Sequence, residues 1–335
     1  MTAGMYQYVS ELDSPTRKAM IAFTVDPYDL LFYDEGIASI VTVARHRGSG
    51  NIWLANNGKV DASSQVDLAT QVLIGHLPLA FRPAPERVLT VGLASGITAG
   101  AIALHDSIRV LDVVEISPSV VRASHEFDAV NHQPLDDPRV HLYVNDARNH
   151  LLLSPDATYD LVVSEPSNPW ISGISNLFTQ EFFELGRRKL RPGGLWVQWI
   201  QVYGMSGEDV RSLLGTFADV FAAAQLFRVD SDLLLVGSDS SLSLDPGAFD
   251  ALFQDPAVAG DLRRAEIRGS RAMLSHYLLD REGVLALAED VERNTDDNMR
   301  IEHSAPLTLL KDMRRSNNRM LEAAARLAVQ SGVSR

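Results

Sequence analysis

The chain has 335 residues, enough for about two domains, and its 46% hydrophobic content suffices for a core. Its 43 acidic residues outnumber 30 basic ones, and the net charge of −13 argues against a nucleic-acid partner while favouring small cations. The absence of cysteine excludes disulfides, thiolate metal sites and cysteine nucleophiles, and the nine histidines show no ligand spacing such as His-Glu-x-x-His, so no metal site is expected.

In chain order, residues 1 to about 20 carry little pattern and read as a frayed or strand-forming arm. Short strands follow at Leu30-Leu-Phe-Tyr33, Ile37 to Ala44 and Asn51-Ile-Trp-Leu54, bounded by Gly48-Ser-Gly50 and Asn56-Asn-Gly58. Alternating short runs between glycine and asparagine turns predict a small antiparallel β-domain that ends near Asp61-Ala-Ser-Ser64. Val66 to Ala80 has helical spacing and carries Thr70, Gln71 and His76, the last read as a helix residue packed against a sheet. Arg82-Pro-Ala-Pro85 then breaks the chain before a second domain.

That domain reads as alternating strand and helix. Val88-Leu-Thr-Val-Gly92 is an apolar strand ending in glycine, and Leu93-Ala-Ser95-Gly96 turns it into the helix-like Thr98 to Leu104. Gly-x-x-x-Gly after a strand is also ordinary packing, so the turn needs support. Support comes from Glu115, closing a strand from Arg109 about twenty residues on, where α/β nucleotide sites place a carboxylate on ribose hydroxyls. Two further strands, Val140 to Asn145 and Tyr159 to Val163, end at Asp146 and at Ser164-Glu165-Pro-Ser-Asn168-Pro169. In a parallel sheet these ends share one edge, so an adenosyl nucleoside is expected there, with Glu115 on the ribose and Asp146 and Ala147 at the adenine. The uncharged run Val88 to Leu104 is too short and too broken by glycine to span a membrane, and the N-terminus lacks a signal-peptide pattern; a cytoplasmic location is expected.

Ser117-Pro118 predicts a capped helix. Trp170 to Asn176 reads either as a lid over a substrate or as a rigid connection anchored by Trp170. A helix at Thr179 to Leu190, a strand at Leu195 to Ile200, a helix at Ser206 to Phe221 and a closing hairpin around Gln225 to Val229 and Leu233 to Val236 follow. The remainder reads as short helices, interrupted at Asn294-Thr-Asp296-Asp297-Asn298, with a cationic amphipathic helix at Met313 to Val333 that serves as a cover or dimer contact.

With these motifs in view, the chain resembles the spermidine synthase family of polyamine aminopropyltransferases. The likeness runs through Gln71 with His76-Leu-Pro-Leu79, the turn Val91 to Gly96, Val114-Glu115-Ile116, Asn145-Asp146-Ala147, Glu165-Pro-Ser-Asn168-Pro169 and Leu190-Arg-Pro-Gly-Gly194. Asn57-Gly-Lys-Val-Asp61-Ala-Ser63, Ser164 to Trp170 and Asn294 to Asp297 look like a branch often fused to membrane-spanning segments. The resemblance implies an α/β fold: a Rossmann-like S-adenosylmethionine methyltransferase-type sheet of seven strands, a small N-terminal β-domain and a C-terminal helical extension. The implied division is residues 1–85, an N-terminal β-hairpin domain with a linking helix, 86–240, the catalytic domain, and 241–335, the extension. No permanently bound cofactor is implied. Decarboxylated S-adenosylmethionine is the implied co-substrate, a di- or polyamine the acceptor, and a homodimer the assembly.

Carried over residue by residue, Gln71, Gly92, Ser95, Gly96, Glu115, Ile116, Asp146 and Ala147 would bind the donor, and Glu165 would be the catalytic base. Asp61, Thr70, Asn168, Asp296 and Asp297 would meet the acceptor, although the last two also read as helix-capping loop acids. The family's Asp-x-x-Asp is Glu165 and Asn168 here, its turn acid is Ser95, a tyrosine or histidine is Thr70, and a donor-contacting glutamine falls near Asp61. With two acids gone, other carboxylates must replace them, with Asp61, Asp230, Asp232, Asp296 and Asp297 as candidates, or the substrate differs. The alternatives are therefore a methyltransferase using intact S-adenosylmethionine, whose carboxylate a turn acid would have opposed, and a catalytically silent nucleoside-binding homologue.

Overall fold

The fold, a computed structural model, describes residues 16–36, 39–308 and 311–331. The expected arm therefore lies mostly outside the described residues, as do Ile37 and Ala38 at the start of the second expected strand. Within the arm's described part the chain is helical: Arg17–Thr24 forms a helix whose first turn is capped by the Thr16 hydroxyl.

Four strands, β1 (Tyr28–Glu35), β2 (Ile40–His46), β3 (Ile52–Asn56) and β4 (Lys59–Ser63), form an antiparallel meander in sequence order. The sequence reading stopped short of β4, because Lys59 and Asp61 break the apolar alternation that marks a strand. The helix expected over Val66 to Ala80 is two pieces, Leu68–His76 and Pro78–Phe81. Pro78 has no N–H to continue the first helix, but it is well placed in the first turn of the second.

The large sheet has eight strands in the order β12-β10-β11-β9-β8-β5-β6-β7. Its parallel part consists of β5 (Arg87–Val91), β6 (Val110–Glu115), β7 (Val140–Val144), β8 (Tyr159–Ser164) and β9 (Leu190–Gln201). The expected hairpin, β10 (Ala223–Val229) and β11 (Asp232–Ser238), closes it antiparallel beside β9. The eighth strand, β12 (Tyr277–Asp280), corrects the reading of the C-terminal part as purely helical, since it pairs antiparallel with β10. It is only four residues long, too short for a periodicity to show.

Apolar side chains fill both faces of this sheet. One layer gathers Phe182, Phe183, Trp196, Phe217 and Phe221; the other gathers Leu73, Ile97, Leu111, Leu161 and Phe227. The C-terminal segment joins both, with Phe249, Leu262 and Met273 in one layer and Leu279, Ile301 and Leu321 in the other. The last helix, Arg314–Ser331, thus covers the core through Leu321 and Ala328. Trp170 is buried, edge-on against Tyr203 at 6.0 Å, so the loop that follows β8 is anchored at its start. Among the described residues no helix is long and apolar enough to cross a membrane.

Candidate active site

Backbone hydrogen bonds run on past the strands and lock their carboxyl ends together. The Glu165 N–H donates to Val91 O at 3.0 Å, the Gly92 N–H to Val114 O at 2.8 Å and the Asn145 N–H to Glu115 O at 3.1 Å. Glu165, Gly92, Glu115 and Asp146 therefore stand on four adjacent strands of one edge. At about 4.8 Å per strand, Glu165 and Asp146 lie roughly 14 Å apart, the span of an extended nucleoside with a substituent.

Two glycines make this edge possible. Gly92 has φ +95°, and a Cβ there would come within 2.9 Å of the Glu165 carbonyl oxygen. Gly96, at φ +78°, starts the helix Ile97–Ala103. The Glu115 carboxylate accepts from the Leu93 N–H at 3.0 Å and the Ser117 N–H at 2.9 Å, which aims it along the turn. Burial pushes its pKa up, the backbone N–H groups of Ser117, Leu93 and Ala94 pull it back, and the nearby Asp61 charge raises it again. Asp146 caps the helix Ala147–Leu153 by accepting from the Asn149 N–H at 2.8 Å, with Ala147 buried behind it and Ile116 exposed on the neighbouring strand end.

Glu165 keeps some solvent exposure as a residue, but its carboxyl is enclosed. Burial pushes its pKa up to about 8; the hydrogen bond from Thr98 Oγ1 at 2.8 Å opposes the shift, and Glu115 adds to it. Its carboxyl therefore holds its proton more tightly than a solvated glutamate does. Behind it, Ser95 donates to Gln71 Oε1, and Gln71 Nε2 donates to Ser63 O at 2.8 Å, so both are buried and the turn position carries no charge.

Asp61 and Thr70 sit close by in different electrostatic settings. Asp61 pairs with Lys59 Nζ at 2.7 Å and also accepts from Asn56 Nδ2 at 2.7 Å and Ser167 Oγ at 2.6 Å, so its charge is already matched. Thr70 Oγ1 instead donates to Asp232 Oδ2 at 2.9 Å. Asp232 is 8% exposed; burial pushes its pKa up to about 7, while Trp199 and Thr70 pull it down. Asp67, whose pKa burial also raises, adds its charge to that of Asp232, and half-buried Tyr203 completes the surroundings with Lys59 above its ring. Asn168 is fully buried beside this group, and the Gln201 Oε1 on the strand next to Asp232 is buried without a hydrogen-bond partner.

Asp296 and Asp297 are not brought here by any hydrogen bond or ion pair. Asp296 makes a two-pronged ion pair with Arg148 and is joined through its backbone to Glu181, which fastens the C-terminal loop to the sheet layer, and Asp297 is exposed. Asp230 occupies the tight turn between β10 and β11 at φ +50°. His76 is fully buried and hydrogen-bonded to Asp261 at 2.9 Å and His105 at 2.8 Å, as a packed helix residue should be. Sequence reasoning missed Lys59, Asp67, Thr98 and Tyr203. Lys59 lay within the stretch Asn57 to Ser63 already singled out, and alternation along a strand through Asp61 would have put both on one face.

Residues 67–229 match the sequence model of the spermine/spermidine synthase domain. The likeness to the spermine/spermidine synthase family thus covers this segment, just under half of the chain. The spermine synthase of Arabidopsis thaliana is 34% identical over 166 residues, 50% of this chain and 46% of that protein. The spermidine synthase of Coffea arabica is 34% identical over 142 residues, 42% of this chain and 45% of that protein. The chain thus matches about half the length of these curated relatives. Among solved structures, the spermidine synthase from Thermotoga maritima shares the fold with a TM-score of 0.59 at 16% identity over 75% of this chain and 84% of that one. A spermidine synthase in complex with the transition-state analogue AdoDATO superposes with a TM-score of 0.61 at 16% identity, covering 75% of this chain and 85% of that one. The matched segment holds Thr70, Ser95, Glu115, Asp146, Glu165 and Asn168, but ends before Asp232 and leaves out Lys59 and Asp61.

Proposed function

We propose that this chain transfers an aminopropyl group from decarboxylated S-adenosylmethionine to an amine. The observation that carries the reading is Glu165, an enclosed carboxyl with its pKa raised to about 8, fixed beside the glycine turn and Glu115 on the nucleoside edge. In this reading Glu115 holds the ribose, Asp146 and Ala147 meet the adenine, and Gln71, Gly92, Ser95, Gly96 and Ile116 line the rest of the donor. Asp232, hydrogen-bonded to Thr70, takes the place of the acid that Asn168 lacks, with Asp67 alongside.

The chemistry follows from charge. The acceptor arrives as an ammonium whose pKa lies about three units above neutral pH, so a proton must leave before attack. Glu165, in its ionised form after releasing its own proton to solvent, accepts that proton, the freed nitrogen lone pair forms a bond to the carbon next to the sulfonium, and the carbon–sulfur bond breaks with its electrons going to sulfur. Orientation between donor and acceptor supplies much of the acceleration. A cluster of buried acids with few cations of its own suits two positively charged substrates.

The test is to supply the purified protein with this donor and a series of amines and to look for a product carrying an added aminopropyl group. Its absence across the series overturns the proposal. A second reading, transfer from intact S-adenosylmethionine, is favoured by one observation: the turn presents the uncharged Ser95 hydroxyl, which would not repel a donor carboxylate. Calorimetry with the two donors separates the readings, since tighter binding of the decarboxylated form removes the second. The same proposal carries a homodimer, which light scattering checks.

A further inference from the structure

Among the described residues, Lys59 is a buried cation within the acid cluster for which neither donor binding nor proton transfer has a use. It is 4% exposed, and its Nζ lies 2.7 Å from Asp61 Oδ1 and 5.9 Å from the centre of the Tyr203 ring. Asp67 adds a further stabilising charge, and together these neighbours raise the lysine pKa despite its burial. A carboxylate, a second acid and an aromatic face form the chemistry that recognises an ammonium ion. Here that ammonium belongs to the protein. Asp61 also accepts from Ser167, two residues from Glu165, so the occupied position adjoins the loop carrying the proposed base.

We infer that Lys59 sets acceptor specificity: its ammonium fills a site that a distal amino group of a longer polyamine would otherwise occupy, which restricts the acceptor to a short diamine. The inference rests on the aminopropyl-transfer reading and narrows its substrate class. A short diamine engages Glu165 and Asp232 alone. A linear triamine brings a further positive charge toward Lys59, with Asp61 already neutralised, and gains nothing from it.

The experiment pairs direct binding with turnover. Calorimetric titration of the wild-type protein with butane-1,4-diamine and with a linear triamine should show the triamine binding no tighter. A triamine that binds tenfold tighter overturns the inference without any variant. In Lys59→Met, the ratio of kcat/KM for triamine over diamine should rise about tenfold, and an unchanged ratio overturns it as well. The double variant Lys59→Met/Asp61→Asn removes both charges of the pair, so neither partner leaves the other unpaired. It should stay folded and lose most of the tenfold gain, because the ammonium site then lacks its anion; retention of the full gain counts against the role of Asp61. Failure of wild-type protein to form an aminopropyl product sinks the parent reading, whereas product formation with a wild-type preference for triamine sinks only the specificity inference.

Discussion

Two buried polar clusters on opposite flanks of the helix Leu68–His76 differ in one respect, and that difference separates a structural site from a candidate reactive one. At its C-terminal end, Asp261 is fully buried and receives His76 at 2.9 Å, His132 at 2.5 Å and Arg264 at 2.6 Å. These partners hold its pKa far below the usual carboxylate range, against the opposing effect of burial. At its N-terminal end, Asp67 and Thr70 face Asp232, and across the glycine turn stands Glu165; here burial wins, and Asp232 and Glu165 rise to about 7 and about 8. A buried acid with its partners built in is complete. One without them stores a preference for an incoming cation.

Substitutions should break this comparison in different currencies. The largest effect is expected at Glu165→Gln, which keeps the shape and removes the base: kcat should fall by about 100- to 10,000-fold with stability maintained or increased. A loss below tenfold in single-turnover measurements would assign the proton to another group. Next, Asp261→Asn should lower unfolding free energy by about 3–5 kcal/mol in urea titrations, because it unpairs buried partners, while leaving the KM for the amine near its original value. A destabilisation under 1 kcal/mol would show that the cluster is not a structural anchor.

Asp232→Asn should raise the KM for the amine about tenfold, in line with the loss of one charged hydrogen bond, with a smaller change in kcat. An unchanged KM would remove Asp232 from the acceptor site. The smallest effect concerns pH. Glu165 and Asp232 hold protons in the folded chain that the unfolded chain releases near pH 4, so their contribution to stability is full below that pH and is lost as pH rises to about 8. Ligand-free protein should therefore lose stability across that window. Glu165→Gln should flatten the slope, and an unaltered slope in the variant would contradict the assignment. For kcat/KM the sign is reversed, since the base works only when ionised, and activity should climb toward pH 8.

The proposed nucleoside edge was legible from sequence because each of its parts is local. A β-branched run, a glycine turn and an acid at the next strand's end are read within some thirty residues, and β5 to β8 carry their polar residues at their carboxyl ends as the periodicity predicts. Glu165 followed from the same rule. The proposed acceptor side was legible only as a gap: Ser95 and Asn168 stand where the family carries acids, and Asp232 stood among several possible replacements. Asp61 had the right residue type, but its charge is already paired, because Lys59 lies two residues earlier on the same strand.

The sequence by itself determined the alternation of strand and helix, the edge where strand ends gather polar groups and the place of Glu165 on it, since backbone propensity and strand-end placement act over short distances. Only the tertiary structure decided which acids remain uncompensated. Thr70 and Asp232 are 162 residues apart, Asp296 is drawn to Arg148, and the strand Tyr277–Asp280 is too short to announce itself. The cost of a buried charge depends on every group folded against it, and that surrounding exists only once the chain has closed.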